Sequence, residues 1–245
     1  MKRLFLMLCA LLPLAFACKK EGKIEKIEAI DMGTGILWGN SNLGTENEYN
    51  FGLYYAWAAI ATGGYFTWEN CPYCTVKPDG SLDQITKYDA NGHLESGDDA
   101  ARVRLKDGWR LPTEEEMKAL NGDDFQWEWI KEYKLSNGKV ARDEYFHDPV
   151  SGIRVTNKNT GKSLFFPATG IGTDNGGSSR PGSLGGYWTS SSSHTDASKA
   201  LGLKIEMSTA SLMDMEVTNL THSVTEFERR EGLYIRPVKD KPAAE

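Results

Sequence analysis

The stretch Gly108-Trp109-Arg110-Leu111-Pro112-Thr113-Glu114-Glu115-Glu116-Met117-Lys118-Ala119-Leu120 constrains the fold more than any other part of the chain. Thr113 followed by Glu116 is a capping box: the threonine hydroxyl takes one orphan helix amide and the glutamate reaches back to another. Glu114, Glu115 and Glu116 fill the first turn, where the helix dipole favours negative charge. Pro112 holds Leu111 extended, and Met117 with Leu120 gives the short helix one apolar side. A strand end, a turn and a helix start are thereby fixed together. The stretch specifies architecture and carries no chemistry of its own.

Residues 1–17 read as an export signal. Lys2 and Arg3 form a positive start, Leu4 to Leu14 an apolar run, and Ala15-Phe16-Ala17 a small-residue cleavage site. The run is too short to span a bilayer as a stable helix. Cys18 directly after it resembles the bacterial lipoprotein signal, which implies a diacylated cysteine as the mature N-terminus; an ordinary secretory peptide with a chance cysteine is the plainer alternative. More than one acyl chain makes a stable anchor, so Cys18 is the expected lipid attachment, a membrane the expected partner and the outer membrane of the cell envelope the expected address, with its face left open. Residues 18–30 are mostly charged and read as a tether, which can extend to about 40 Å.

Removal of the signal takes the net charge from −6 to about −8, since that segment carries two basic residues and no acidic one. The balance argues against nucleic acid as a partner. With Cys9 in the signal and Cys18 at the lipid site, Cys71 and Cys74 are the cysteines left for the fold, and in an oxidising compartment they are expected to form a local disulfide.

Along the chain, Ile36-Leu37-Trp38-Gly39 is a short strand, and Asn50 to Trp57 an aromatic-rich strand or buried loop. Lys77 to Gly97 is turn-rich, and Asp98-Asp99 orients or caps the segment before Trp109. Phe125, Trp127 and Trp129 alternate with polar residues as on a half-buried strand. Ile153 to Val155 and Leu164 to Phe166 flank Asn159-Thr160-Gly161 as a hairpin. Ala168 to Gly186 is a glycine- and serine-rich loop centred on Asp174 and Asn175. Three strand candidates follow at 186–190, 200–205 and 232–238, and 240–245 is a polar tail. Few helices, short strands and long loops indicate an α+β class.

The blocks Phe51-Gly52-Leu53-Tyr54-Tyr55-Ala56-Trp57, Thr67-Trp68-Glu69-Asn70, Asp98-Asp99-Ala100-Ala101, Gly108-Trp109-Arg110-Leu111-Pro112-Thr113, Phe166-Pro167-Ala168-Thr169-Gly170, Gly186-Tyr187-Trp188-Thr189-Ser190-Ser191 and Tyr234-Ile235-Arg236-Pro237-Val238 together resemble the Fibrobacter succinogenes major paralogous domain over residues 31–239. The resemblance implies a C-type lectin-like fold, with paired N- and C-terminal strands and a projecting loop region, in an envelope lipoprotein whose ligand is unassigned. The helix-start block also resembles formylglycine-generating enzymes, but their activating cysteines lie near the C-terminus and no cysteine follows Cys74. Function does not travel with fold.

Chemistry is sparse. Cys71-Pro72-Tyr73-Cys74 has the glutaredoxin active-site spacing without a βαβ surround, so a structural pair outweighs thiol chemistry. Ser190 to Ser193 with His194 lacks a nucleophile elbow. The four histidines are scattered, and Asp98-Asp99 or Asp174-Asn175 alone do not make a calcium site. No catalytic residue, metal ligand or cofactor is assigned. Flat aromatic faces remain: core packing is the plainer reading of the tryptophans, and Trp127 and Trp129, together with Asp174 and Asn175 in the 173–185 loop, are the candidate contacts for a glycan or protein ligand. An enzyme on the same scaffold and a structural envelope component are the alternatives.

Overall fold

The computed structural model describes residues 26–87, 92–144, 147–212 and 215–242. The expected signal peptide, the lipid site Cys18 and most of the tether lie outside these residues. Strand β1 (Ala29–Asp31) runs antiparallel to β2 (Ile36–Gly39), with Gly33 and Gly35 turning the chain at φ of 81° and 93°. The tether expected over 18–30 ends sooner than its charge pattern implied. Ile27 is buried in the core and β1 begins at Ala29, because Ile27 and Ile30 each find an apolar partner surface.

Residues 40–66 lack regular strands and are held by backbone bonds to the chain's last part. Leu43 N donates to Ile235 O, Tyr55 and Leu233 exchange both bonds, and Trp57 N donates to Arg229 O. Fully buried Tyr55 and Trp57 give this irregular stretch its reason to stay in place. A single 3-10 turn, η1 (Trp68–Asn70), leads into the hairpin of β3 (Cys74–Val76) and β4 (Leu82–Ile85), which turns at Asp79, whose carboxylate takes the Ser81 amide.

Helix α1 (Ala100–Leu105) is capped by Asp99, which accepts from Arg102 N at 2.9 Å and also from Leu111 N at 2.8 Å. The orienting role read for this aspartate is thus what it performs. Helix α2 (Glu114–Ala119) carries the expected capping box, both halves present. Glu116 also holds Arg110 through two bonds of 2.8 and 2.7 Å, and Met117 and Leu120 are buried.

Strands β5 (Phe125–Ile130), β6 (Gly152–Asn157) and β7 (Ser163–Pro167) form a three-stranded antiparallel sheet in that order. After it the expected long irregular loop is a tight turn instead. β8 (Ile171–Gly172) pairs with β9 (Ser178–Ser179), and Asn175 closes the turn by accepting from Gly177 N and Thr173 Oγ1.

β10 (Leu184–Ser192), β11 (Lys199–Leu212) and β12 (Met215–Glu228) make a second antiparallel sheet. β10 pairs with β11 only from Ala200 to Glu206, so the far end of the β11–β12 hairpin continues as a two-stranded ribbon. Finally β13 (Val238–Asp240) pairs with β2, so Asp240 belongs to a sheet and the polar tail expected from residue 240 starts later. Both ends of the described chain therefore meet in the sheet β1-β2-β13.

Among the described residues the architecture is mostly antiparallel sheet with two short α-helices. β10 lies between two core clusters. Successive side chains on a strand face opposite ways, so Trp188 packs with Trp57, Trp109 and Leu233, while Tyr187 packs with Trp38, Phe166 and Tyr234. Fully buried Arg236 joins β2 to β7: it donates to Asn42 Oδ1 (2.9 Å), Gly39 O (3.3 Å), Asn40 O (3.0 Å) and Phe165 O (2.6 Å), and lies over the Phe166 ring. Burial lowers its pKa to about 10. No helix among the described residues is long and apolar enough to cross a membrane.

Candidate functional site

Exposed apolar side chains are the informative ones on a folded surface when they gather in one place. Ile60, Tyr65, Tyr73 and Val103 are the exposed large hydrophobic residues of the described chain, and the first three line one open cleft of about 630 Å³. That volume suits a small ligand or a segment of a larger one. Two smaller cavities, of about 130 and 100 Å³, fall below that range.

The floor and one wall come from residues 58–67. Phe66 is buried, and its ring lies against the bare backbones of Gly172 and Gly232, which pair across β8. A methyl group on either glycine would sit 2.5 Å from the ring edge. Asn70 Nδ2 donates to Tyr65 O at 3.2 Å, and Phe66 N donates to Thr173 O at 3.2 Å, so η1 and the β8–β9 turn together set the height of the Tyr65 ring.

The opposite wall is Pro72 and Tyr73, between Cys71 and Cys74. Tyr73 has a φ of 60°, a left-handed conformation that a bulky side chain adopts at a cost of about 1 kcal/mol or more. Ala58, also in the cleft, has a φ of 67°. Surrounding bonds hold Tyr73 there: its carbonyl accepts from Thr86 N and Thr86 Oγ1, and its phenol donates to Asp98 Oδ1 at 2.6 Å. That bond, with burial adding to it, raises the Tyr73 pKa.

The charged groups of the cleft are paired. Lys87 Nζ lies 2.5 Å from Asp98 Oδ2 and 4.8 Å above the Tyr73 ring. Arg230 bonds Glu228 through Nε at 2.8 Å, donates to Phe66 O and stacks over Trp68. The result is an aromatic, hydrogen-bonding and electrically balanced surface.

The two cysteines beside it are free thiols with sulfurs 2.8 Å apart, in contact and unbonded. Cys71 is buried and Cys74 half-buried.

The chain matches no protein-family model, no curated protein and no solved structure. Its site is therefore read from its own geometry.

Of the residues singled out in the sequence, Asp174 and Asn175 stand exposed at the tip of the β8–β9 turn, where Gly176 packs on Gly64 and the Tyr65 ring. They flank the cleft, and the Asn175 side chain is occupied in closing its turn. Trp127 and Trp129 lie elsewhere, on β5. Both are half-buried against the core; Trp127 donates to Leu120 O and stacks face to face on His222 at 4.2 Å, so it offers no free indole face there. The sequence reading missed Ile60, Tyr65, Tyr73 and Arg230 as a group. Trp68-Glu69-Asn70 before the cysteines was the nearest signal.

The serine run is structural. Ser191 Oγ is buried, accepts from Glu114 N at 3.0 Å and lies 3.1 Å from His93 Nδ1, which makes it a second cap for α2. Burial pushes the Glu114 carboxyl up, but Lys118 and His194, at 2.5 and 2.8 Å, outweigh it and leave the pKa lowered. Among the described residues no group of three or more His, Cys, Asp and Glu side chains converges on a metal position.

Proposed function

We propose that this chain is a lipid-anchored cell-envelope protein whose folded domain, of C-type lectin-like and major paralogous type, binds a glycan or a protein ligand in the cleft between Tyr65 and Tyr73. One observation carries the binding reading: exposed apolar side chains gather on a single neutral cleft whose walls are held in place by backbone bonds and a strained turn.

A glycan is the leading ligand class. Sugar rings present an apolar face that stacks on aromatic rings and a polar edge that seeks paired donors and acceptors. Tyr65 and Tyr73 supply the first; Asp98 and Arg230 supply the second. Support for the lectin-like reading comes from the pairing of β13 with β2 at the chain ends and from the irregular 40–66 stretch that builds the cleft. Support for the anchor is the sequence before Cys18.

Two experiments test this reading. Radiolabelled fatty acid supplied to expressing cells is incorporated into the wild-type chain and not into Cys18→Ser; equal labelling contradicts the anchor. Glycan and extracellular-protein arrays probed with the soluble domain show hits that Tyr65→Ala removes; hits unaffected by that change place binding elsewhere.

A further inference from the structure

The pair Cys71–Cys74 has more in its surroundings than a structural crosslink needs. The sulfurs already touch at 2.8 Å, the turn between them is held in a left-handed conformation at Tyr73, and the positive charge of Arg229, whose guanidinium stacks 4.2 Å over Trp57, favours the thiolate form of both. Low-pKa, partly exposed thiols beside fixed cations are the reactive ones.

We propose that Cys71 and Cys74 form a thiol–disulfide exchange site on the cleft rim, with Cys74 the attacking sulfur, and that closing the pair adds a covalent restraint to the Tyr73 wall.

The asymmetry of the pair sets the roles. Cys74 is the more open of the two, while Cys71 is 4% exposed behind the η1 turn, its amide bonded to Trp68 O. A partner disulfide therefore reaches the Cys74 sulfur before that of Cys71. The order is thus the reverse of one in which the first cysteine of such a motif leads.

The chemistry balances with a disulfide, either low-molecular-weight or on an exported protein, as oxidant. The Cys74 thiolate attacks one sulfur of the partner disulfide, forming a mixed disulfide and releasing one partner thiolate, which takes up a proton. Cys71 then loses its proton and attacks Cys74 Sγ, forming the Cys71–Cys74 bond and releasing the second partner thiol. Two protein thiols are oxidised and one partner disulfide is reduced to two thiols.

The cleft senses this state because Tyr73 is the residue between the sulfurs. Its phenol reaches Asp98 and its carbonyl Thr86. A bond across the turn removes freedom from the segment that carries the ring. The consequence for ligand capture rests on the cleft being the ligand site; the exchange chemistry does not.

The test uses the full mature chain equilibrated in glutathione redox buffers, quenched with an alkylating reagent and weighed by mass spectrometry. The expected result, counted at Cys71 and Cys74, is two alkylated thiols under reducing buffers and none under oxidising ones. With glutathione disulfide, Cys71→Ser accumulates a single glutathione adduct on Cys74, and Cys74→Ser reacts at Cys71 roughly tenfold more slowly or less. Failure of the bond to form in oxidising buffer, or faster capture at Cys71, overturns the assignment. NMR spectra of tyrosine-labelled protein follow the coupling: the Tyr73 signals differ between the two redox states and those of Tyr133 do not. Identical Tyr73 signals overturn the link to the cleft. Neither readout depends on any array hit, so failure to find a ligand leaves this test standing.

Discussion

The phenol of Tyr73 donates to Oδ1 of Asp98 at 2.6 Å, tying the strained turn of the cysteine pair to the residue that precedes the N-cap of α1. Through this bond the β3 end of the cleft is joined to the capped helix start at Asp99. Lys87 closes the arrangement, bonded to the same carboxylate and lying over the same ring.

Titration of Tyr73 reports this contact. Asp98 favours the neutral phenol, so the folded pKa is raised. The stabilisation is present below the ordinary tyrosine range and is lost as pH rises through the folded value. A spectrophotometric titration of Asp98→Asn shows Tyr73 ionising at lower pH than in the wild type, and Lys87→Met, which removes the opposing cation, shows it ionising at higher pH. An Asp98→Asn curve that overlays the wild type contradicts the contact.

Arg236 is expected to be the costliest single replacement in the core. Its bonds go to neutral oxygens of Gly39, Asn40, Asn42 and Phe165, and each orphaned buried acceptor costs about 1–3 kcal/mol. Arg236→Met therefore lowers stability in urea titration by about 3 kcal/mol or more. Arg236→Lys recovers little, because an ammonium donates from one point and cannot span β2 and β7. Wild-type stability in Arg236→Lys refutes this role.

The glycine platform under Phe66 is a remote control on the cleft. Gly232→Ala brings a methyl to 2.5 Å from Phe66 Cε2, so the ring or the backbone moves, at a cost of about 1–3 kcal/mol. Gly97→Ala meets nothing within 4 Å and serves as the neutral comparison. Thermal melts separate the two, with Gly232→Ala lower; equal melting temperatures count against the platform.

Local signals in the sequence were read well where the physics is local. The capping box of Thr113 and Glu116, the alternation of Phe125, Trp127 and Trp129 and the turn at Asn159-Thr160-Gly161 each depend on a few neighbouring residues, and each stands in the structure. β12 did not announce itself. Leu220, Val224 and Phe227 follow helix-like spacing, and the place an apolar residue would take between Leu220 and Val224 on the strand face is filled by His222, which stacks on Trp127. The loop at Asp174 hides a hairpin too short to show any period. The cleft was illegible for a different reason: its residues come from 56–73, from Asp98 and from Arg230, and nothing in their spacing shows that the bridge from Gly172 in β8 to Gly232 brings those glycines under Phe66.

In the proposed site, ligand is held between Tyr65 and Tyr73. Its most direct test is the dissociation constant for an array-identified glycan, measured by isothermal titration calorimetry on wild type, Tyr65→Ala, Tyr73→Phe and, as a control on the other aromatic surface, Trp129→Phe. Loss of one stacked ring removes about 1–2 kcal/mol, so Tyr65→Ala weakens binding roughly five- to thirtyfold. Tyr73→Phe keeps the ring and loses the Asp98 bond, for a smaller loss, and Trp129→Phe leaves affinity unchanged. Undiminished affinity in Tyr65→Ala alongside a loss in Trp129→Phe contradicts binding in the cleft and moves the binding surface to β5.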